Sequence, residues 1–256
     1  MKQLYCLALF ALLFSCKGNT ETTSENIESI KTDTLNLKET SHATLKDTFT
    51  SDLRPNEKLK IEKAYSDIVE FVAFDDNGDY PIFTIQKNKK IISFYSDFDD
   101  ASTLKRGDIL EVKWKIDSVY IAGEGEKLDF GEWLINAKKI KEGNVSLFLK
   151  KYKKPIKFTS EKDDYTDGFK DYLYTQVTYY LANSKNQLVK NAIKNPDADL
   201  SYSIEEKDRD GRSYYLLGIS NDFEHHTNII QWLYLDNENG NLYEYDLPND
   251  KLVEFR

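Results

Sequence analysis

Cysteine is nearly missing from this 256-residue chain: Cys6 and Cys16 are the only two, and none follows residue 16. A body without cysteine has no disulfide, no thiolate nucleophile and no thiolate-bound metal, so its cores must be held by apolar packing alone. Histidine is almost as scarce. His42 lies in a polar stretch, and His225-His226 are adjacent, which on a strand points them to opposite faces. With no His-x-x-x-His pattern, no metal site and no cofactor is predicted. No apolar run reaches the roughly 20 residues needed to span a bilayer as a helix. Basic excess is missing too: the net charge of −9 argues against nucleic acid as a partner. Gly-x-Ser-x-Gly does not occur, and Gly123-Glu124-Gly125-Glu126 is not the Gly-x-Gly-x-x-Gly of a dinucleotide site. Asp208-Arg209-Asp210-Gly211 has the start of a calcium loop. Counted from Glu206, however, the twelfth position is Leu217 where a bidentate glutamate is required. Paired carboxylates such as Asp163-Asp164 and Glu205-Glu206 read as ordinary surface charge, and no catalytic residue is assigned.

What the chain has in quantity is aromatic surface. Aromatics are 13% of residues, with 17 tyrosines against one methionine. Tyrosine joins an apolar ring to a hydroxyl, which suits half-exposed strands and recognition surfaces. The first sixteen residues have a separate character. Lys2 precedes an apolar run from Leu4 to Phe14, too short for a span and right for a signal peptide. The run ends in Leu13-Phe14-Ser15-Cys16, which resembles the lipobox of bacterial lipoprotein signal peptides. That resemblance implies removal of residues 1–15, a lipid on Cys16, and attachment of the protein to a membrane of the cell envelope through that lipid. Lys17 stands where an inner-membrane retention signal has Asp, so the resemblance implies the outer membrane.

Residues 16–59 are rich in Thr, Ser, Glu and Lys, with no repeated apolar period, and are predicted to be a flexible tether. From residue 60 the pattern is β-rich. Lys60–Phe74, Tyr80–Gln86, Lys90–Tyr95, Ile109–Ile121 and Trp133–Ile140 read as five strands. The segments FVAFDDNGDYPIFTI, Leu104–Asp108, EVKWKIDSVYIAG and EWLINAKKI together resemble an OB-fold over residues 60–142, a small five-stranded barrel. Alternation points Val69, Phe71, Phe83, Ile85, Phe94, Val112, Trp114 and Ile135 inward. Residues 143–159 read as a linker within the lysine-rich stretch Lys138–Lys157, a solvated connector or a dock for anionic lipid.

Residues 160–256 open on a long helix with Phe169, Leu173, Val177, Tyr180 and Leu181 at helical spacing, capped near Ser160 or Asp163. Gln187–Ile193 continues it until Asn195-Pro196. Strands at Leu200–Glu205, Ser213–Ser220, Asn228–Leu235, Leu242–Asp246 and Leu252–Phe255 follow. A helix on an antiparallel sheet of four or five strands is an α+β layer, and the hairpin LYLDNENGNLYEYD resembles cystatin-like, NTF2-like and PepSY-like domains. The fold class is therefore mainly β plus α+β.

In Asn228–Leu235, Ile229, Leu233 and Leu235 mark one face, while Ile230, Trp232 and Tyr234 mark the other. The helix covers only one face. The second, with Trp232, Tyr234, Tyr214, Tyr243 and Tyr245, needs another cover: the barrel, a partner protein, or a ligand. The expected function is a non-enzymatic, lipid-anchored envelope protein binding an unidentified protein. The alternatives are an oligosaccharide-binding module and a hydrolase using acidic side chains.

Overall fold

The computed structural model describes residues 48–98, 101–121, 127–162 and 164–255. The signal segment, Cys16 and the tether as far as residue 47 lie outside the described residues. Strands β1 (Tyr65–Asp75), β2 (Ile82–Lys87), β3 (Lys90–Ser96), β4 (Ile109–Ile121) and β5 (Lys127–Lys141) close into a barrel in the order β1-β2-β3-β5-β4. β3 and β5 are its parallel pair, joined through Tyr95↔Trp133 and Ser96↔Leu134. This closed five-stranded arrangement is OB-like. The β2–β3 hairpin turns on Asn88 and Lys89, both at positive φ, the conformation whose twist matches the flanking strands. Among the described residues no helix links β3 to β4; residues 101–108 cross as turns.

Seven of the eight residues expected to face inward are in the barrel core, with Trp114, Phe83 and Phe94 wholly buried. The exception is Ile135, which is 48% exposed. The β4–β5 ladder passes from Lys113↔Asn136 to Trp114↔Leu134, so Ile135 is the extra residue of a bulge and Leu134 takes the inward place.

The tether also ends earlier than residue 59. Leu53 and Leu59 are buried in the barrel core, and Phe49 pairs with Leu59. A strap therefore runs across the barrel from Phe49 to Ile61, and its four spaced apolar residues, Phe49, Leu53, Leu59 and Ile61, have no local period to reveal them. Asp67 fastens it, accepting hydrogen bonds at 2.8 Å from Arg54 of the strap, Lys87 of β2 and the Trp114 indole of β4. Burial alone would raise its carboxyl. The bonds from Lys87, Trp114 and Arg54 outweigh burial and hold it below the usual range.

The segment expected to be a linker is structured. It carries α1 (Asn144–Lys151) and β6 (Lys157–Ser160), both short enough for their apolar residues to be masked by lysines. After these come α2 (Asp167–Asn183), α3 (Gln187–Lys194), β7 (Asp199–Arg209), β8 (Arg212–Asp222), β9 (Thr227–Asp236), β10 (Leu242–Asp246) and β11 (Lys251–Glu254). The sheet has six strands in the order β11-β10-β9-β8-β7-β6. It is mixed, not antiparallel throughout, because β6 runs parallel to β7. The cap of α2 is Thr166, whose hydroxyl accepts from the Phe169 amide at 3.3 Å; Ser160 instead ends β6. Leu173, Val177, Tyr180 and Leu181 of α2 pack on Tyr202, Leu217, Leu233 and Leu235, closing a second core.

The two cores are fastened at one carboxylate. Asp108, fully buried at the start of β4, accepts from the Gly143 amide (2.8 Å), the Ser146 hydroxyl of α1 (2.7 Å), the Lys105 amide (3.0 Å) and Lys139 (3.0 Å). Burial pushes this carboxyl up, but its four donors prevail and hold it below the usual range. A Cβ on Gly143 would stand 2.2 Å from the Gly107 carbonyl oxygen, so only glycine permits this approach. Arg106 completes the joint, stacking 3.7 Å over the Tyr179 ring and donating to Gln176 on α2.

Candidate functional site

Strict alternation in β8 and β9 decides what the far face of the C-terminal sheet carries. The pairs Tyr214↔Asp236, Leu216↔Tyr234 and Gly218↔Trp232 put these side chains on the face opposite α2. Tyr243↔Tyr234 and Tyr245↔Leu252 extend that face across β10 and β11. All five aromatics expected there thus come together. Tyr214, Leu216 and Tyr234 are buried at the centre, ringed by half-exposed Trp232, Tyr243, Tyr245 and Leu252. Tyr214 meets two rings edge-on, Tyr234 at 5.4 Å and Tyr243 at 6.3 Å, and Tyr245 lies tilted 5.7 Å from Tyr234. Edge-to-face contacts of this kind add roughly 0.5–1.5 kcal/mol each beyond the area buried.

Gly218 shapes this face. A Cβ there would lie 2.6 Å from the Ser203 hydroxyl and 2.8 Å from the Trp232 ring. The indole therefore lies across the bare backbone of β8, which flattens the surface.

Ile229 and Ile230 are exchanged relative to the expected alternation. Ile230 packs with the α2 core and Ile229 is 48% exposed. The β8–β9 ladder passes from Ile219↔Gln231 to Ser220↔Ile229, and this bulge reverses the faces beyond Gln231.

Two arginines at the rim were not identified from sequence. Asp210 and Gly211, both at positive φ, make the β7–β8 connection a two-residue hairpin turn that sets Arg209 opposite Arg212. The same parity that carries Tyr214 then puts both arginines on the aromatic face. Arg209 stacks 5.5 Å over Tyr245 and pairs with Asp250 at 2.8 Å; Arg212 pairs with Asp236 at 2.9 Å. The Tyr245 hydroxyl donates to Asp250 at 2.9 Å, and that bond raises the phenol above its usual range. Among the described residues, the barrel's side-chain links to the C-terminal region reach α1 and α2, on the other side of the sheet. None of these links reaches the aromatic face.

A second depression lies on the barrel wall, an open cleft of about 630 Å³ lined by Asp97, Phe98, Lys115, Asp117, Ser118 and Trp133. The Trp133 ring packs against Tyr80 and Tyr95, and its indole N–H has no partner among the described residues. Asp117 pairs with Lys115 at 2.6 Å, and this bond holds it below the usual carboxyl range. A carboxyl kept ionised in this way is a poor general acid. His226 stacks on Phe223 in the β8–β9 hairpin and His225 is exposed. Among the described residues, no three His, Cys, Asp or Glu side chains gather as metal ligands, and no helix is long and apolar enough to cross a membrane.

No family model and no curated protein matches this chain. It is similar to a solved mitochondrial single-stranded DNA binding protein from S. cerevisiae, at 10% identity and a TM-score of 0.24, over 32% of this chain and 96% of that one. It is also similar to an aspartyl tRNA synthetase from Entamoeba histolytica, at 10% identity and a TM-score of 0.22, over 73% of this chain and 53% of that one. The chain thus spans about half the length of that synthetase, and the fold assignment rests on the closed strand order itself. The exclusion of nucleic acid drawn from the net charge of −9 is withdrawn. The physical fault lies in the sum: a whole-chain charge does not report the charge of one face, and residues 138–157 alone carry eight lysines against one glutamate.

Proposed function

We propose that this protein is a non-catalytic binding protein of the bacterial envelope, anchored through a lipid on Cys16, that engages a protein partner with the aromatic face of its C-terminal sheet. The observation that carries the reading is that face: Tyr214, Trp232, Tyr234, Tyr243 and Tyr245 in one layer, with Arg209 and Arg212 at its rim. Tyrosine, tryptophan and arginine are the residues in which interface binding energy concentrates. The pre-formed ring contacts and guanidinium pairs leave little side-chain entropy to be lost on docking.

The partner reading is tested by replacing Tyr243 with a photo-crosslinking amino acid in cells and looking for a discrete protein adduct. A Trp232→Ala change in the same chain is expected to weaken the adduct severalfold. Adducts to glycan alone would transfer the face to the oligosaccharide alternative. The anchor is tested by labelling with a palmitate analogue, which should mark the wild-type chain and not Cys16→Ser.

A further inference from the structure

The lysine-rich stretch from the end of β5 to β6 is left without a role by the aromatic face. Several of its lysines are already engaged: Lys139 with Asp108, Lys150 with Glu142, and Lys154 and Lys157 with Asp199. Lys138, Lys141, Lys151 and Lys153 are exposed and have no ion pair among the described residues. Exposed aliphatic side chains sit among them. Ile140 is 48% and Leu147 53% exposed. At the end of β5 the ladder passes from Leu110↔Lys139 to Ile109↔Lys141, so Ile140 is the extra residue of a bulge, exposed between Lys138, which stands across from Glu111, and Lys141. In α1, Val145 and Ser146 are buried, while Asn144, Leu147, Lys150 and Lys151 recur at three- and four-residue spacing on the outward side. The same combination, an exposed aliphatic beside a lysine, is thus built twice in consecutive elements.

We propose that this ridge rests on an anionic lipid surface, with the uncompensated lysines at headgroup level and Ile140 and Leu147 entering the interface. Lysine near an anionic leaflet and an aliphatic residue at the acyl boundary are the two parts of such an adsorption. The ridge has no arginine. The guanidinium fork is thus absent, and the exposed hydrophobics beside the unpaired lysines, Ile140 and Leu147, are aliphatic; the exposed ring of Phe158 follows Lys157, which is already paired with Asp199. The proposal stands apart from the Cys16 anchor: an unacylated chain adsorbs through the ridge, and an acylated chain lacking the ridge stays attached.

The test is co-sedimentation of the full chain with vesicles of equal parts phosphatidylcholine and phosphatidylglycerol, against pure phosphatidylcholine. The N-terminal amine and Lys2 add an anionic preference of their own, so the deciding comparison is between the wild-type chain and the lysine variant, which share that segment. The expected result is a preference for the anionic vesicles that vanishes in high salt. The K138Q/K141Q/K151Q/K153Q variant should lose roughly fivefold in affinity per lysine at low salt. Control replacements at Lys185 and Lys190 should leave binding unchanged, and Leu147→Gln should weaken it without changing its salt dependence. Equal binding to both vesicle types would overturn the proposal. So would a ridge that binds a single-stranded oligonucleotide and ignores lipid.

Discussion

Asp108 and Gly143 concentrate the joint between barrel and sheet into two residues. Gly143 has an ordinary extended backbone (φ −81°, ψ 177°), so the cost of a side chain there is steric alone. Gly143→Ala is expected to lose about 3 kcal/mol, readable by chemical denaturation, because the clash is with backbone that cannot rotate away. Asp108→Asn should cost a similar amount, about 3 kcal/mol, by leaving Lys139 and the Gly143 amide poorly matched. Because the native Asp108 carboxyl lies below its unfolded value, its contribution is present above the unfolded pKa of about 3.9 and is lost as pH falls through the native value. The wild-type chain should therefore show a steeper acid loss of stability than Asp108→Asn. Equal slopes would remove the joint from this account.

At the scale of elements, alternation and turn chemistry were readable wherever the ladders are regular. Trp114, Phe83 and Phe94 fall inward, and the five aromatics of the far face fall together. Reading failed at two of the bulges, where one extra residue exposes Ile135 and exchanges Ile229 with Ile230, because a bulge is fixed by pairing and leaves no mark on its own strand. It failed again at α1, β6 and the Phe49–Ile61 strap, whose few apolar residues matter only once a core receives them. Arg209 and Arg212 were legible in principle: Asp210-Gly211 is a hairpin signal, and the register it sets puts both on the tyrosine face. The account predicts that Gly218→Ala lifts the Trp232 indole off β8, visible as a shift in its emission. It should also weaken the crosslink at Tyr243 while leaving the secondary structure intact.

For the whole molecule, three tasks would then fall to three separate parts. An acyl chain on Cys16 would hold the protein at a membrane, the lysine ridge would set how the folded body lies there, and the aromatic face would be left for a partner. The barrel contributes its OB-like wall and, through Asp108 and Arg106, a fixed seat on the helical side of the sheet. The central claim is that the aromatic face is the binding surface. Its most direct measurement is site-specific photo-crosslinking in cells at Tyr243, compared with the same probe at Tyr172, which is 39% exposed on α2. The account predicts a discrete protein adduct at Tyr243, weakened by Trp232→Ala, and none at Tyr172. Equal labelling at both positions, or none at Tyr243, would contradict it.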